Sequence, residues 1–323
     1  MDRFVFFGGK GGVGKTTVAS AYGVQCARAG QQTLLVSTDP AHSTADVFGQ
    51  SFDDDPTPVE GYDGLSAMEL DPDAEVDRHM REIRRAMSDQ VSPAIVNELD
   101  RQIELAHRTP GAYEAALFDR FIDVMRSSDD YDRVVFDTSP TGGTLRLLAL
   151  PDLLESWVDR LRQKRRESVD LFEKAAIGDS EARATLDEDP IIERLTERKE
   201  TFDFAGRVLA EQATFVLVLN PDDLSIAESR RAIEELREAD LSVGGLVVNK
   251  VAPAPEAGET GTGGTYLRER RQAEQARLGR IHAEFDRPVV AVLERRAGVD
   301  GTELLDALVA ELDLETAVEP PVT

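Results

Sequence analysis

Short apolar runs of strand length alternate along the chain with longer amphipathic stretches, the pattern of a parallel sheet covered on both faces. The runs are Phe4 to Phe7, Thr33 to Ser37, Val134 to Phe136, Phe215 to Leu219, Gly245 to Asn249 and Val289 to Leu293. Residues 15–29, 226–240 and 266–285 fit between them as crossover helices. This predicts an α/β fold, a doubly wound and mostly parallel sheet, in one domain spanning residues 1–323.

Two gaps break the alternation. About a hundred residues separate the run at 33–37 from that at 134–136, and nearly eighty more lead to the run at 215, far beyond the needs of one crossover. Apolar residues recur there at spacings of three and four: Val76, Met80, Ile83 and Met87, then Phe118, Phe121, Ile122 and Met125, then Leu150, Leu153, Leu154, Trp157, Val158 and Leu161. The spacing predicts an inserted α-helical subdomain, approximately 60–130 and 151–208. Core packing is the simplest use of such stripes, and Met80, Met87, Met125 and Trp157 are the candidates for an exposed apolar groove. Residues 252–265, rich in Pro, Gly, Glu and Thr, read as a flexible loop, and 315–323 as a disordered tail.

Composition narrows the class. With 323 residues and 41% apolar content the chain can bury a full α/β core. No apolar run approaches the roughly 18 residues that span a bilayer, and the first strand begins within three residues of Met1, so a cytoplasmic protein is expected. The net charge of −25 is spread along the chain, and only six of the 37 basic residues are lysine. Such a balance fits a salt-rich cytoplasm, where screening removes self-repulsion, and it argues against nucleic acid as a partner. Cys26 is the single cysteine, so a disulfide or a thiolate metal site within one chain is excluded.

The chemistry begins directly after the first strand, at Gly8-Gly9-Lys10-Gly11-Gly12-Val13-Gly14-Lys15-Thr16-Thr17. A glycine-rich turn between a strand and a helix is a phosphate-binding loop: glycines admit the anion close to the backbone, and helix N–H groups point at it. Gly9, Gly11, Gly12, Val13, Gly14 and Thr17 would form the cradle, Lys15 would meet the β- and γ-phosphates, and the Thr16 hydroxyl would bind Mg²⁺. The extra Lys10 would project away from its own loop, towards a phosphate held by a facing subunit, so a homodimer with nucleotide at the interface is expected.

Two acidic residues follow strands. Asp39, in Ser37-Thr38-Asp39-Pro40-Ala41-His42-Ser43, stands where it could orient an attacking water, although an Asp before Pro also serves as a helix cap. Asp137, opening Asp137-Thr138-Ser139-Pro140-Thr141-Gly142-Gly143, ends an apolar strand in the Walker-B manner and would hold Mg²⁺ directly or through water. The Pro and glycines after it suit a loop that senses the γ-phosphate.

With two lysines, the loop resembles the signature-lysine group of P-loop ATPases. Together with Asp39-Pro40-Ala41-His42-Ser43, Asp137 to Gly142 and Thr144-Leu145-Arg146-Leu147-Leu148, the chain resembles the family of the arsenite-pump ATPase and of the ATPase that targets tail-anchored membrane proteins, with a composition like that of haloarchaeal proteins. The resemblance covers nearly the whole chain. It implies an ATP- and Mg²⁺-dependent homodimer in which Lys10 acts across the interface, Asp39 positions the hydrolytic water and joins Thr16 and Asp137 around the metal, and Asn249 recognises adenine. It implies an apolar client, a tail-anchor helix in the targeting branch, and leaves room for a membrane receptor. Three departures qualify it. No cysteine lies between residues 250 and 285, where targeting members often carry a zinc-binding pair, so no zinc is expected. Cys26 alone cannot make a three-thiolate arsenite site, and Gly143 stands where a histidine is common.

The leading expectation is therefore a homodimeric ATPase motor that closes on ATP, binds an apolar client and releases it after hydrolysis, most simply a tail-anchored protein. The alternatives are the catalytic subunit of an arsenite or anion extrusion pump, an ATP-regulated holdase and a spatial organiser of the septum-site kind.

Overall fold

The structure is a computed structural model, and it describes residues 2–38, 43–71, 74, 78, 112–137, 159, 160, 163, 190–255, 258, 261–294, 301–312 and 314. Eight strands make one sheet: β1 Phe4–Gly8, β2 Thr33–Ser37, β3 Thr57–Pro58, β4 Leu65–Glu69, β5 Arg133–Asp137, β6 Ala213–Leu219, β7 Val243–Val251 and β8 Val289–Glu294. Their order across the sheet is β3-β4-β2-β5-β1-β6-β7-β8. Only the β3 to β4 pairing is antiparallel; every other pairing is parallel. The helices are α1 Lys15–Arg28, α2 Ser43–Phe48, α3 Ala112–Ser127, α4 Pro190–Glu211, α5 Asp223–Glu238, α6 Thr262–Glu284 and α7 Gly301–Val309.

Alternation along β1 explains the two-layer core. Phe4 and Phe6 face one side with Phe118, Phe121, Phe136, Phe202 and Phe215, whereas Val5 and Phe7 face the other with residues of α1 and α7 such as Val18, Tyr22, Leu305 and Leu308. Phe6 stacks between Phe136 and Phe215, with ring centroids at 4.5 and 4.9 Å. Strands buried on both faces read as continuous apolar runs, which is why β1, β2, β5 and β6 are legible in the sequence.

Three expectations are displaced. Residues 65–69 lie within the stretch read as helical insertion, yet they form β4, paired along its length with β2. α3 and the second half of α4 belong to the sheet's own covering layer: Phe121 of α3 packs on Phe6 of β1 and Phe136 of β5, Phe118 stacks on Phe202 of α4, and α4 lies against β6. Met125 is 3% exposed in that core and lines no groove; Met80, Met87 and Trp157 lie outside the described residues. The loop expected over 252–265 also ends early, because α6 begins at Thr262 despite two glycines in its first turn. The tail at 315–323 lies outside the described residues, as do residues 79–111, 151–158 and 164–189 of the insertion.

Candidate nucleotide site

β1 ends at Gly8 and α1 begins at Lys15, so the six residues between them turn the chain at the carboxyl edge of the sheet. The sheet itself dictates glycine at two of these positions. At Gly9 (φ 148°) an added Cβ would stand 2.2 Å from the Val218 carbonyl oxygen of β6, and at Gly14 (φ 94°) it would stand 2.5 Å from Asn249 Nδ2. Val13, 1% exposed, pins the loop into the α1 layer, and its N–H reaches back to the Lys10 carbonyl at 3.4 Å. The first turn of α1 carries no acidic residue, which leaves the positive end of the helix dipole uncompensated. Lys10, Lys15, Thr16 and Thr17 are half-buried at the rim, and Gly11 and Gly12 are exposed.

Asp137 closes β5, between the ends of β1 and β2: it stands in register with Phe7 on one side and Ser37 on the other. It is 1% exposed, and Ser37 Oγ donates to its Oδ2 at 3.5 Å. Its carbonyl accepts the Thr38 amide at 3.1 Å. The buried carboxylate of Asp137 and the hydroxyl of Thr16 are hard oxygen donors of the kind Mg²⁺ prefers, so the donor set fits the ion.

Asp39 and His42 lie outside the described residues, but the chain is held on both sides of them. Upstream, Thr38 is tied to Asp137. Downstream, Glu69 at the end of β4 accepts the amides of Thr44 and Ala45 with one oxygen, each at 3.1 Å, and so caps α2.

Beyond α1 lies a cleft of about 380 Å³ lined by Gly14, Thr17, Asn249, Lys250, Glu294, Leu304 and Leu308. Asn249, 8% exposed at the end of β7, donates Nδ2 to the Val13 carbonyl at 2.8 Å and accepts the Lys250 amide at 2.8 Å. One N–H and one lone pair of its amide stay available for a ligand. Lys250 Nζ donates to the Gly12 carbonyl at 2.5 Å. The chain after Lys250 is clamped by α6, whose Glu274 accepts the Ala252 amide at 2.6 Å while Arg271 donates to the Ala252 carbonyl.

The structure therefore gathers Gly9 to Thr17, Asp137 and Asn249 at one edge of the sheet, all from the sequence reading. Glu69, Lys250 and Glu274 join them and were not singled out there. A weak signal existed for Lys250: lysine is scarce in this chain, and Lys10, Lys15 and Lys250 are half of its six.

The model of the anion-transporting ATPase family matches residues 2–313. The chain belongs to that family. It is an ATPase, and ATP is its nucleotide. It is 32% identical over 255 residues to "ATPase ASNA1 homolog 1" of Paramecium tetraurelia, covering 77% of this chain and 75% of the relative. It is 33% identical over 251 residues to "ATPase get3" of Pyrenophora tritici-repentis, covering 77% and 74%. To the "Putative arsenical pump-driving ATPase" of Halobacterium salinarum it is 33% identical over 304 residues, 94% of this chain and 42% of that relative. The haloarchaeal member accords with the acidic, lysine-poor composition. Among the described residues no helix of this ATPase is long and apolar enough to cross a membrane.

Proposed function

We propose that the protein is a homodimeric motor in which ATP-driven closure binds an apolar client helix and hydrolysis releases it, the client being a tail-anchored membrane protein. One observation carries this reading. The chain leaves the sheet for its two long segments at the carboxyl ends of β4 and β5, the edge that bears the phosphate loop, and comes back into α3 and α4. A change at the γ-phosphate therefore acts where those segments are rooted.

In this reading the amides from Gly9 to Thr17 and the Lys15 ammonium hold the β- and γ-phosphates. Thr16, Asp137 and Asp39 would hold Mg²⁺, which would supply neutralisation of phosphate charge. Asp39 orients the attacking water, and Lys10 reaches the nucleotide of the partner subunit. Asn249 meets adenine in the cleft beside Leu304 and Leu308. A membrane receptor would accept the client after hydrolysis.

The test is capture of a C-terminal anchor helix by the Asp39→Asn variant with ATP, against the same variant with ADP. Retention with ATP and loss with ADP is the expected result; equal retention defeats the motor reading.

A second reading, an arsenite pump subunit, is favoured by the Halobacterium salinarum relative, whose similarity extends over 94% of this chain. Cys26 is buried within α1 and gives a metalloid one thiol where a soft site needs several. Stimulation of ATP turnover by arsenite or antimonite would select this reading over the first.

A further inference from the structure

Lysine is rare in this chain, yet three of its six lysines stand at one end of the sheet: Lys10 and Lys15 in the phosphate loop and Lys250 in β7. We infer that Lys250 is a positioning residue for phosphate binding: its ammonium, fixed on the Gly12 carbonyl, sets and polarises the peptide whose other end offers the Val13 N–H to the phosphates. The inference rests on the nucleotide-site reading above and adds a residue to it.

The geometry runs through one planar peptide. The Gly12 oxygen and the Val13 N–H belong to the same trans unit, so they point in opposite directions. Lys250 Nζ holds the oxygen at 2.5 Å on the β7 side, which turns the N–H into the loop. There it meets the Lys10 carbonyl at 3.4 Å, beyond the ordinary N–H···O range. A phosphate oxygen would displace that long contact. Asn249 does the same one peptide further on: its hold on the Val13 carbonyl turns the Gly14 N–H. A cation on a carbonyl also strengthens the attached N–H as a donor, since hydrogen bonds in series polarise one another.

Lys250 itself is held against its own preference. Its φ is 60°, the left-handed region that residues with a Cβ seldom enter. Asn249 Oδ1 accepts its amide, and Glu274 and Arg271 fasten the next peptides to α6. This clamp aims the side chain across the loop, and its methylene stem lines the cleft between Asn249 and Gly14. A lysine suits the task because a compact ammonium on an apolar stem can do both jobs, where the planar fork of arginine would not.

The test is binding of ATP and of inorganic tripolyphosphate to the full chain, its Lys250→Met variant and its Lys250→Ala variant, each checked for an unchanged melting profile without ligand. Lys250→Met keeps the stem and removes the ammonium, so both probes should weaken by a similar factor, about tenfold, the scale of one charge-assisted hydrogen bond. Lys250→Ala should weaken ATP further and tripolyphosphate no further. Wild-type affinity of Lys250→Met for tripolyphosphate overturns the inference alone, whatever happens to ATP. A wild-type chain that binds neither probe overturns the nucleotide-site reading and the inference together. Should Lys250→Met fail to fold, Lys250→Leu, which likewise has no donor for the Gly12 carbonyl, decides the matter with the same two probes and by the same criterion.

Discussion

Glu69 holds Thr44: one oxygen of its buried carboxylate accepts the Thr44 amide at 3.1 Å and, beside it, the Ala45 amide at the same distance. Thr38, on the other side of residues 39–42, is tied to the Asp137 carbonyl. The two strands flanking β2 thus hold the chain on both sides of Asp39.

That grip leads to a kinetic expectation. Glu69→Ala should lower kcat by about tenfold or more, since small misplacements of a catalytic group are costly, while KM for ATP changes little. Glu69→Gln keeps an acceptor oxygen and should recover most of the loss. Steady-state assays at saturating Mg²⁺ separate the outcomes, and a rise in KM with kcat unchanged would assign Glu69 to ground-state binding instead.

Asp39→Asn removes the acceptor proposed for the attacking water while leaving the phosphate cradle untouched. ATP should bind with near wild-type affinity and hydrolysis should slow by about 10²-fold or more. Equilibrium binding and single-turnover hydrolysis measure the two quantities independently. Turnover near wild type would remove Asp39 from the role.

Core residues and site residues differ in how visible they are in the sequence. Phe4 to Phe7 and Phe215 to Leu219 announce buried strands because every position is apolar. β4 does not, because Leu65-Ser66-Ala67-Met68-Glu69 mixes a serine and a glutamate with residues of modest strand preference; pairing with β2 decides its fate. The Phe118 and Phe121 stripe is legible as a helix face, but its period is silent on whether it covers a sheet or lines a groove. Asp137 and the glycine-rich loop are visible because their residue types and spacing are those that phosphate binding demands of a strand-to-helix turn and its neighbouring strand. Glu69 and Lys250 act on backbone groups 24 and 238 residues away, contacts that no local pattern encodes.

An exposed ion-pair network predicts how stability responds to acid. Hydrogen bonds from Arg280 and then Arg277 hold the Asp223 carboxyl below its ordinary value, and Arg280 and Arg230 do the same for Glu284. A carboxylate depressed in the folded state stabilises the fold above its unfolded pKa, and that contribution disappears as pH falls through the folded value. Asp223→Asn should therefore narrow the difference in Tm between neutral pH and pH below about 4. The narrowing should shrink in concentrated KCl, because both groups are solvent-exposed and screened. Thermal melts at two pH values and two salt concentrations check both statements.

Gly14→Ala tests the closeness of the cleft at Asn249 to the glycine-rich loop. Gly14 has φ 94°, and an alanine Cβ there would sit 2.5 Å from the Asn249 amide nitrogen. Strain of this backbone kind costs about 1–3 kcal/mol, and the displaced Asn249 would also release the Val13 carbonyl. ATP affinity should fall more than thermal stability does, because the fold keeps its core while the loop loses its brace. Calorimetric titration beside a melting curve makes the comparison, and equal loss in both would mean the loop is a structural element first.

Lys10→Ala bears on the dimer. Lys10 is half-buried at the loop rim, five residues before Lys15 at the start of α1. If its ammonium meets a phosphate on the facing subunit, its removal takes away an ion pair that exists only when nucleotide is bound. The nucleotide-free chain should then sediment as the wild type does, whereas the dimer fraction with a non-hydrolysable ATP analogue should fall and hydrolysis should fall with it. A variant that loses turnover but keeps its nucleotide-dependent dimer would place Lys10 on its own subunit's phosphates. One that keeps both would remove it from the mechanism. The result is read best in concentrated salt at which the wild type still dimerises, because screening there suppresses non-specific association of so acidic a chain without abolishing a contact buried between subunits.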